Sequence, residues 1–322
     1  GGKAERTNVA GGMSGSPFYI DGKLVGAVST RISVFSPDAI CGVTPIELML
    51  EISEFDESQP PESAAALDWF TPRPAGVSPA GAPGEGSLLT PIETPFVFSG
   101  FHENVLREVA PLLRQVGLAA VQGGASGALR GAKPAAGWES ALAPGQGVAA
   151  VLVSGDMTIS VQGTVTYNDG RRILAFGHSA MDLGPVDMPM ARSEVIMTLA
   201  SSYQPNKFAN ATEVVGALRQ DRRSGMLGVA GRQAETIPVS VTVRTWAEDG
   251  AMVREKTYCY NVFVHQRYTP NLVTTTLYNT MSGVNDFGEE YTYRLNGKVE
   301  LDGGRSLSLA TIVVERVFDG LT

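Results

Sequence analysis

Cysteine, aromatic residues and charge are all scarce in this chain of 322 residues. Only two cysteines occur, Cys41 and Cys259, which is too few for a disulfide framework, and we expect both to be unpaired. No apolar run reaches the roughly 18 to 20 residues that a membrane-spanning helix needs. Charged residues make up 18% without a Lys/Arg cluster, and the formal charge is −8. This charge argues against nucleic acid or anionic lipid as the main partner.

Glycine and proline are abundant instead, with 37 and 19 copies, while aromatic residues reach only 7%. This composition is typical of turn-rich β structure joined by flexible linkers. A hydrophobic content of 43% is sufficient for a folded core, and the length allows two domains or one large β domain with an appendage.

The stretch 12–17, Gly-Met-Ser-Gly-Ser-Pro, stands directly before two apolar segments that an Asp21-Gly22 turn joins. We read residues 8–30 as a strand, a serine loop and a β-hairpin. Glycines on both sides of Ser14 allow a sharp turn that exposes its hydroxyl and gathers N–H groups at one point, as in a chymotrypsin-like barrel. The alternative is an ordinary Gly/Ser loop before a hairpin. Because Gly1 stands only eleven residues ahead of Gly12 and is no initiator Met, we expect the N-terminal part of this domain to be missing.

The composition divides the chain into five segments. Residues 1–53 form a serine-motif barrel half, in which Thr44 is expected to cap a short helix that starts at Pro45. The other four segments are a Pro/Gly/Ala-rich linker or surface strap at 54–95, an amphipathic helix (104–121) with a Gly-rich link at 96–147, a histidine-motif barrel half at 148–232, and a C-terminal β region at 233–322. The pattern predicts a mainly β fold with few helices.

A serine nucleophile needs a base, and the chain has only three histidines. His102 precedes the amphipathic helix, where a solvent-facing or capping role is expected, and His265 ends a strand as an ordinary surface or packing residue. His178 follows the hairpin 158–176, whose Asn168-Asp169-Gly170 turn is strongly predicted. Gly177 separates His178 from the second strand of this hairpin. That position suits the general base of a chymotrypsin-like barrel, although a structural histidine is an equal alternative.

Taken together, these motifs resemble those of the SpoIVB family of serine peptidases, which are bacterial sporulation signalling proteases with many relatives. The stretch 12–17 with its Asp-Gly-Lys hairpin is similar to the serine motif of that family, and residues 164–178 are similar to its histidine hairpin. Residues 214–228 are similar to the segment that comes after that hairpin in the family. The likeness covers residues 8–50 and 148–232, without the PDZ-like domain of the sporulation peptidases.

The resemblance implies a chymotrypsin-like double barrel, with Ser14 as nucleophile, His178 as base and the N–H groups of Gly12 and Ser14 as the oxyanion hole. Ser16 is the rival nucleophile. In the sporulation peptidases the histidine precedes the serine, so this chain would be a permuted version, since triads are defined by geometry rather than chain order. If the missing N-terminal part carried its own histidine, His178 would be a bystander. Four residues remain open as the third member of the triad: Asp156, Asp182, Asp187 and Asp221.

The leading hypothesis is therefore a serine endopeptidase that acts on protein or peptide substrates outside the cytoplasm, with self-processing as an option. Neither zinc-ligand spacing nor a phosphate-binding glycine loop is present, and we expect no cofactor. The alternative is a catalytically inactive β-barrel that serves as a binding or cell-surface module. Cleavage specificity and oligomeric state do not follow from the sequence.

Overall fold

Most of the regular structure is β-strand, and six of the strands form one closed barrel. The computed structural model describes residues 7–32, 38–60, 89–115, 118–124, 129, 131, 133–201, 205–282 and 292–313. Within these ranges the fold is mainly β and barrel-like, as predicted, with three helices. None of the helices in the described ranges is both long and apolar enough to span a membrane.

The barrel is a ring of six strands, each antiparallel to both neighbours, in the order β7, β10, β11, β12, β9, β8 and back to β7. Its strands are β7 (Gly147–Gly155), β8 (Thr158–Asn168), β9 (Arg172–Ala175), β10 (Gly184–Leu199), β11 (Asn206–Arg222) and β12 (Gly225–Ala230). Closure pairs both edges of every ring strand and encloses apolar side chains such as Val161, Met188 and Leu218. The predicted β8–β9 hairpin is present, and Asn168 Oδ1 accepts the N–H of Gly170 in its turn.

The serine segment forms a separate sheet that packs on the outside of this ring. It contains β1 (Pro17–Ile20), β2 (Lys23–Arg31), β3 (Cys41–Pro45) and β4 (Thr90–Pro91), followed after β3 by helix α1 (Ile46–Leu50). Asp21 and Gly22 both have positive φ, 49° and 76°, which is the geometry of a tight hairpin turn. Ile46 and Met49 of α1 pack against Leu174 and Leu227 of the barrel, so the two sheets share a hydrophobic cluster.

Two further units extend the ring. A βαβ unit, with β5 (Pro95–Ser99), α2 (Glu103–Gln115) and β6 (Ala119–Gln122), joins through β5 to β8. A C-terminal hairpin of β13 (Thr236–Trp246) and β14 (Met252–Phe263) joins through β14 to β7, and α3 (Tyr268–Ser282) packs on it. Finally, β15 (Tyr293–Glu300) and β16 (Ser306–Val313) form a two-stranded hairpin of mostly exposed residues.

Several local predictions were wrong. Residues 8–10 form no strand, and the chain there makes only an isolated bridge between Gly11 and Asn206. Thr44 makes no cap, because α1 begins at Ile46 after Pro45 and the Thr44 hydroxyl bonds elsewhere. The amphipathic helix ends at Gln115 rather than continuing to Val121, since residues 119–122 join the sheet as β6.

The expected linker at 54–95 starts as a strap against the barrel. Arg222 donates to the backbone carbonyl oxygens of Asp56 and Ser58, and Gln220 also donates to Asp56. Residues 61–88 of this linker lie outside the described part of the chain. Residues 1–6 do so as well, and the prediction that a part of the domain is missing ahead of them stays a prediction. Cys41 and Cys259 are free thiols, which confirms that they are unpaired.

Candidate active site

All five backbone carbonyls of the serine loop, residues 11–15, accept hydrogen bonds, and four of them are held by the barrel. The four donors belong to β8 or β11: Lys207 N–H donates to Gly11, Thr164 Oγ1 to Gly12, Thr164 N–H to Ser14 and Thr166 Oγ1 to Gly15. The fifth carbonyl, of Met13, accepts the N–H of Ser16 within the same turn at 2.9 Å. Every peptide plane of the loop therefore has a fixed orientation.

This fixed orientation leaves two N–H groups without an acceptor. Met13 N–H donates to Ala10 and Gly15 N–H to Val28, whereas the N–H groups of Gly12 and Ser14 have no acceptor among the described residues. In a trans peptide the N–H points away from the C=O. The Gly11 carbonyl, anchored to the barrel, therefore directs the Gly12 N–H away from the barrel, and the Met13 carbonyl, held by Ser16, fixes the direction of the Ser14 N–H. Such a pair of preorganised donors is what a developing oxyanion requires.

The two candidate nucleophiles differ in what their hydroxyls do. Ser16 Oγ donates to the Met13 carbonyl at 2.6 Å, so this hydroxyl is part of the turn. The prediction that the turn exposes the Ser14 hydroxyl was wrong, because Ser14 is fully buried, and its Oγ has no hydrogen-bond partner in the described part of the chain. Because an orphaned buried hydroxyl is costly, it calls for a functional explanation, and Ser14 is therefore the better candidate.

The serine loop and the histidine hairpin are in direct contact. Gly15 has a φ of +90°, and a Cβ there would overlap the carbonyl oxygen of Thr164 and the nitrogen of Phe176. On the other side, the Thr44 hydroxyl donates to the Gly177 carbonyl at 2.6 Å. A Cβ at Gly177 would lie 3.2 Å from the Val28 carbonyl oxygen, which also accepts the Gly15 N–H. These contacts bring the backbone at Ser14 beside the backbone at His178.

His178 leaves the barrel through two residues with positive φ, Phe176 at 69° and Gly177 at 67°. Its Nδ1 lies 2.7 Å from the Ser179 carbonyl oxygen, which can only accept, so Nδ1 carries the proton and Nε2 has a free lone pair. This Nε2 is buried and has no hydrogen-bond partner among the described residues, so it is not bonded to Ser14 Oγ. Burial lowers the pKa of His178, which the Ser179 contact partly offsets, so the imidazole is neutral at pH 7.

None of the four candidate aspartates bonds directly to His178 within the described ranges. Asp156 accepts the N–H of Cys259, Asp182 pairs with Arg223, and Asp187 pairs with Arg219. Asp221 is completely buried and accepts N–H groups from the loop that follows His178. Asp182 is part of this loop, and of the other three aspartates only Asp221 bonds to it in the described structure.

The remaining histidines have structural roles. His102 Nδ1 accepts the N–H of Asn104 at the start of α2, which is a capping contact. His265 stacks on Phe263 and contacts the ring of Tyr268 at a tilt, and its Nδ1 accepts N–H groups at the start of α3.

Sequence reasoning missed three residues that shape the loop. Thr164 and Thr166 share one face of β8, and an alternation of threonines opposite a glycine-rich loop could have identified them. Lys207 donates through Nζ to the Gly12 carbonyl at 3.1 Å and to Thr164 Oγ1 at 3.0 Å, and no signal in the sequence marks it.

The described residues were also searched for a metal site. Across the part of the chain that the structure describes, no three His, Cys, Asp or Glu side chains are grouped so that they could hold a metal ion. No family model, curated protein or solved structure matches this chain.

Proposed function

We propose that this chain is a serine endopeptidase of the SpoIVB type, with Ser14 as nucleophile and His178 as general base. One observation carries the proposal. Ser14 Oγ and His178 Nε2 are two of the five buried side-chain polar atoms without a partner in the described residues, and they belong to two loops in direct contact. Orphaned buried polar atoms call for a functional explanation, and because both atoms are buried the proposal requires the site to open before a substrate reaches them.

The mechanism is acyl transfer. His178 Nε2 takes the hydroxyl proton as Ser14 Oγ attacks the scissile carbonyl, and the N–H groups of Gly12 and Ser14 stabilise the oxyanion. The imidazolium then gives this proton to the leaving amine, which departs and leaves an ester on Ser14. Water attacks that ester with His178 again as base, and the free hydroxyl is restored. The lowered pKa of His178 keeps the imidazole available as a base at neutral pH.

The substrate in this proposal is a protein or peptide and no cofactor takes part. On the basis of the family resemblance, we also propose that the protein acts outside the cytoplasm. The alternative, a non-catalytic binding or cell-surface module, is favoured by one observation: within the described structure, Ser14 Oγ and His178 Nε2 make no hydrogen bond to each other. Catalytic hydrogen bonds are often long before substrate binds, so this geometry is also compatible with the enzyme.

A fluorophosphonate probe tests the proposal, because it reacts with an activated serine without any knowledge of the substrate. We expect the full chain to be labelled, Ser14→Ala to abolish labelling and His178→Gln to slow it strongly. Ser16→Ala is the matched control and should still be labelled. If the folded wild-type chain resists labelling, the binding module becomes the better explanation, and loss of labelling in Ser16→Ala alone would identify Ser16 as the nucleophile.

A further inference from the structure

A single peptide group connects His178 to a buried carboxylate. The carbonyl oxygen of Ser179 lies 2.7 Å from His178 Nδ1, and the N–H at the other end of the same peptide, that of Ala180, donates to Asp221 Oδ1 at 2.7 Å. A continuous series of hydrogen bonds therefore runs from the carboxylate through the peptide to the imidazole. Both contacts are short, which is typical of hydrogen bonds with a charged or strongly polarised member.

Both oxygens of Asp221 contribute to this arrangement. Oδ2 accepts the N–H groups of Met181 at 2.9 Å and of Leu183 at 3.2 Å, so that one carboxylate holds three amides of the loop 180–183. The side chain is completely buried at the end of β11, where an unsatisfied charge would be very costly. The loop after His178 is therefore wound around this carboxylate.

We propose that Asp221 is the positioning acid of the site and acts on His178 through the Ser179–Ala180 peptide. This inference rests on the proposed peptidase function, because it assigns the orienting part of the triad that the sequence left open. Asp221 neither touches a substrate nor exchanges a proton with one in the proposed reaction.

Two physical effects result from this arrangement. The Ser179 carbonyl can only accept, so while it is held in place His178 keeps the tautomer with a free lone pair on Nε2. The negative charge also polarises the peptide, because hydrogen bonds in series strengthen one another in a low-dielectric interior. A more negative carbonyl oxygen stabilises the imidazolium that forms when Ser14 loses its proton. In a triad with a direct contact the carboxylate itself supplies both effects.

The tautomer of His178 is the sharpest test, because it can be read by 15N NMR without any enzymatic activity. Selective labelling leaves three histidines, and His102→Gln and His265→Gln assign the other two signals. We expect the wild-type His178 to carry its proton on Nδ1, and Asp221→Asn to populate the Nε2-protonated form. Asp182→Asn, which removes a carboxylate from the same loop, is the matched control and should leave the tautomer unchanged. A folded Asp221→Asn with an unaltered Nδ1–H signal would overturn the proposal.

Kinetics supply a second readout. In Asp221→Asn we expect kcat to fall by about ten- to a hundredfold with little change in KM, since a wrong tautomer removes the base without removing substrate contacts. If fluorophosphonate fails to label the wild-type chain, the peptidase function fails whatever the tautomer shows. If the wild type is labelled and Asp221→Asn reacts as fast, only the role of Asp221 fails.

A measurement on the wild type covers the case in which Asp221→Asn does not fold. The amide signals of Ala180, Met181 and Leu183 should titrate together as Asp221 takes up a proton, and the His178 Nδ1 signal should shift at the same midpoint. The other ionisable groups that act on Asp221 are Asp182 and Tyr268, and neither donates to the Ser179–Ala180 peptide. A His178 signal that stays constant through the amide transition would contradict the proposal.

Discussion

The hydroxyl of Thr44 in β3 donates a hydrogen bond of 2.6 Å to the backbone carbonyl of Gly177, the residue before His178. Thr44 Oγ1 also lies 2.9 Å from Ser29 Oγ in β2, so the contact belongs to the centre of the serine sheet. One side chain thus ties the sheet that presents Ser14 to the turn that presents His178. The relative position of Ser14 and His178, the proposed nucleophile and base, depends on contacts of this kind between the serine sheet and the barrel.

Thr44→Val should therefore weaken the alignment of the two halves. Valine keeps the shape but leaves the Gly177 carbonyl without its donor, and we expect the free energy of unfolding to fall by about 1 to 2 kcal/mol. Fluorophosphonate labelling should slow as well. Urea unfolding measures the first effect. Thr242→Val is the control, because the Thr242 hydroxyl bonds to Thr257 on an exposed face of β13–β14. An equal loss of unfolding free energy in both variants would refute the special role of Thr44.

Local turn chemistry explains most of what the sequence predicts correctly. Asp21-Gly22 and Asn168-Asp169-Gly170 adopt their hairpin turns because the residues themselves favour positive φ or bond to nearby N–H groups. Residues 12–17 likewise form the expected sharp turn, since Gly12 and Gly15 supply φ values of +81° and +90°, but the Ser14 hydroxyl is buried rather than exposed as predicted. Such features depend on few neighbours, and so they are visible in a short stretch of sequence.

Features that depend on distant partners are not predictable in this way. Thr44 looked like a helix cap because Pro45 and Glu47 complete the pattern, but its partner Gly177 is 133 residues away. The residues of helix α3 do not predict a helix, because residues 268–282 contain five threonines, and burial against the β13–β14 hairpin overrides their low helix propensity. Asp221 stood among four equal candidates because its contact with His178 runs through a peptide group, which has no sequence signature.

The contact at Gly15 should tolerate no side chain. In Gly15→Ala the new Cβ would overlap the carbonyl oxygen of Thr164 and the backbone of Phe176, neither of which can move without displacing the barrel. Together with the positive φ, we expect a loss of about 3 kcal/mol or more. Gly22 also has a positive φ, but a Cβ added there would have no atom within 4 Å. Gly22→Ala therefore measures the backbone strain alone, and we expect it to lose about 1 kcal/mol. Thermal unfolding of both variants should separate the two effects, and equal losses would show that packing at Gly15 is unimportant.

Lys207 should influence the reaction rate more than substrate binding. Its Nζ donates to the Gly12 carbonyl, so the side chain helps to hold the serine loop, whereas its backbone N–H, which Lys207→Met keeps, donates to the Gly11 carbonyl. Loss of a whole oxyanion donor costs about a hundred- to a thousandfold in kcat, and we expect Lys207→Met, which only loosens one, to cost about tenfold. Labelling rates with a fluorophosphonate measure this effect. Lys298→Met on the exposed β15–β16 hairpin is the control, and equal rates in the two variants would contradict the prediction.

The burial of Asp221 should also make stability depend on pH in a definite direction. Desolvation raises the pKa of this carboxyl to about 6 against an ordinary value of 3.8, although three backbone N–H groups oppose the shift. Because the folded pKa is the higher one, the contribution is fully present below about pH 4 and is lost as the pH rises through 6. Asp221→Asn carries no such proton. We therefore expect the free energy of unfolding of the wild type, relative to that of Asp221→Asn, to fall by about 2 to 3 kcal/mol between pH 4 and pH 7. Urea unfolding at intervals across that range measures the difference, and a difference that is constant or rises with pH would show that the carboxyl is not desolvated in the folded protein.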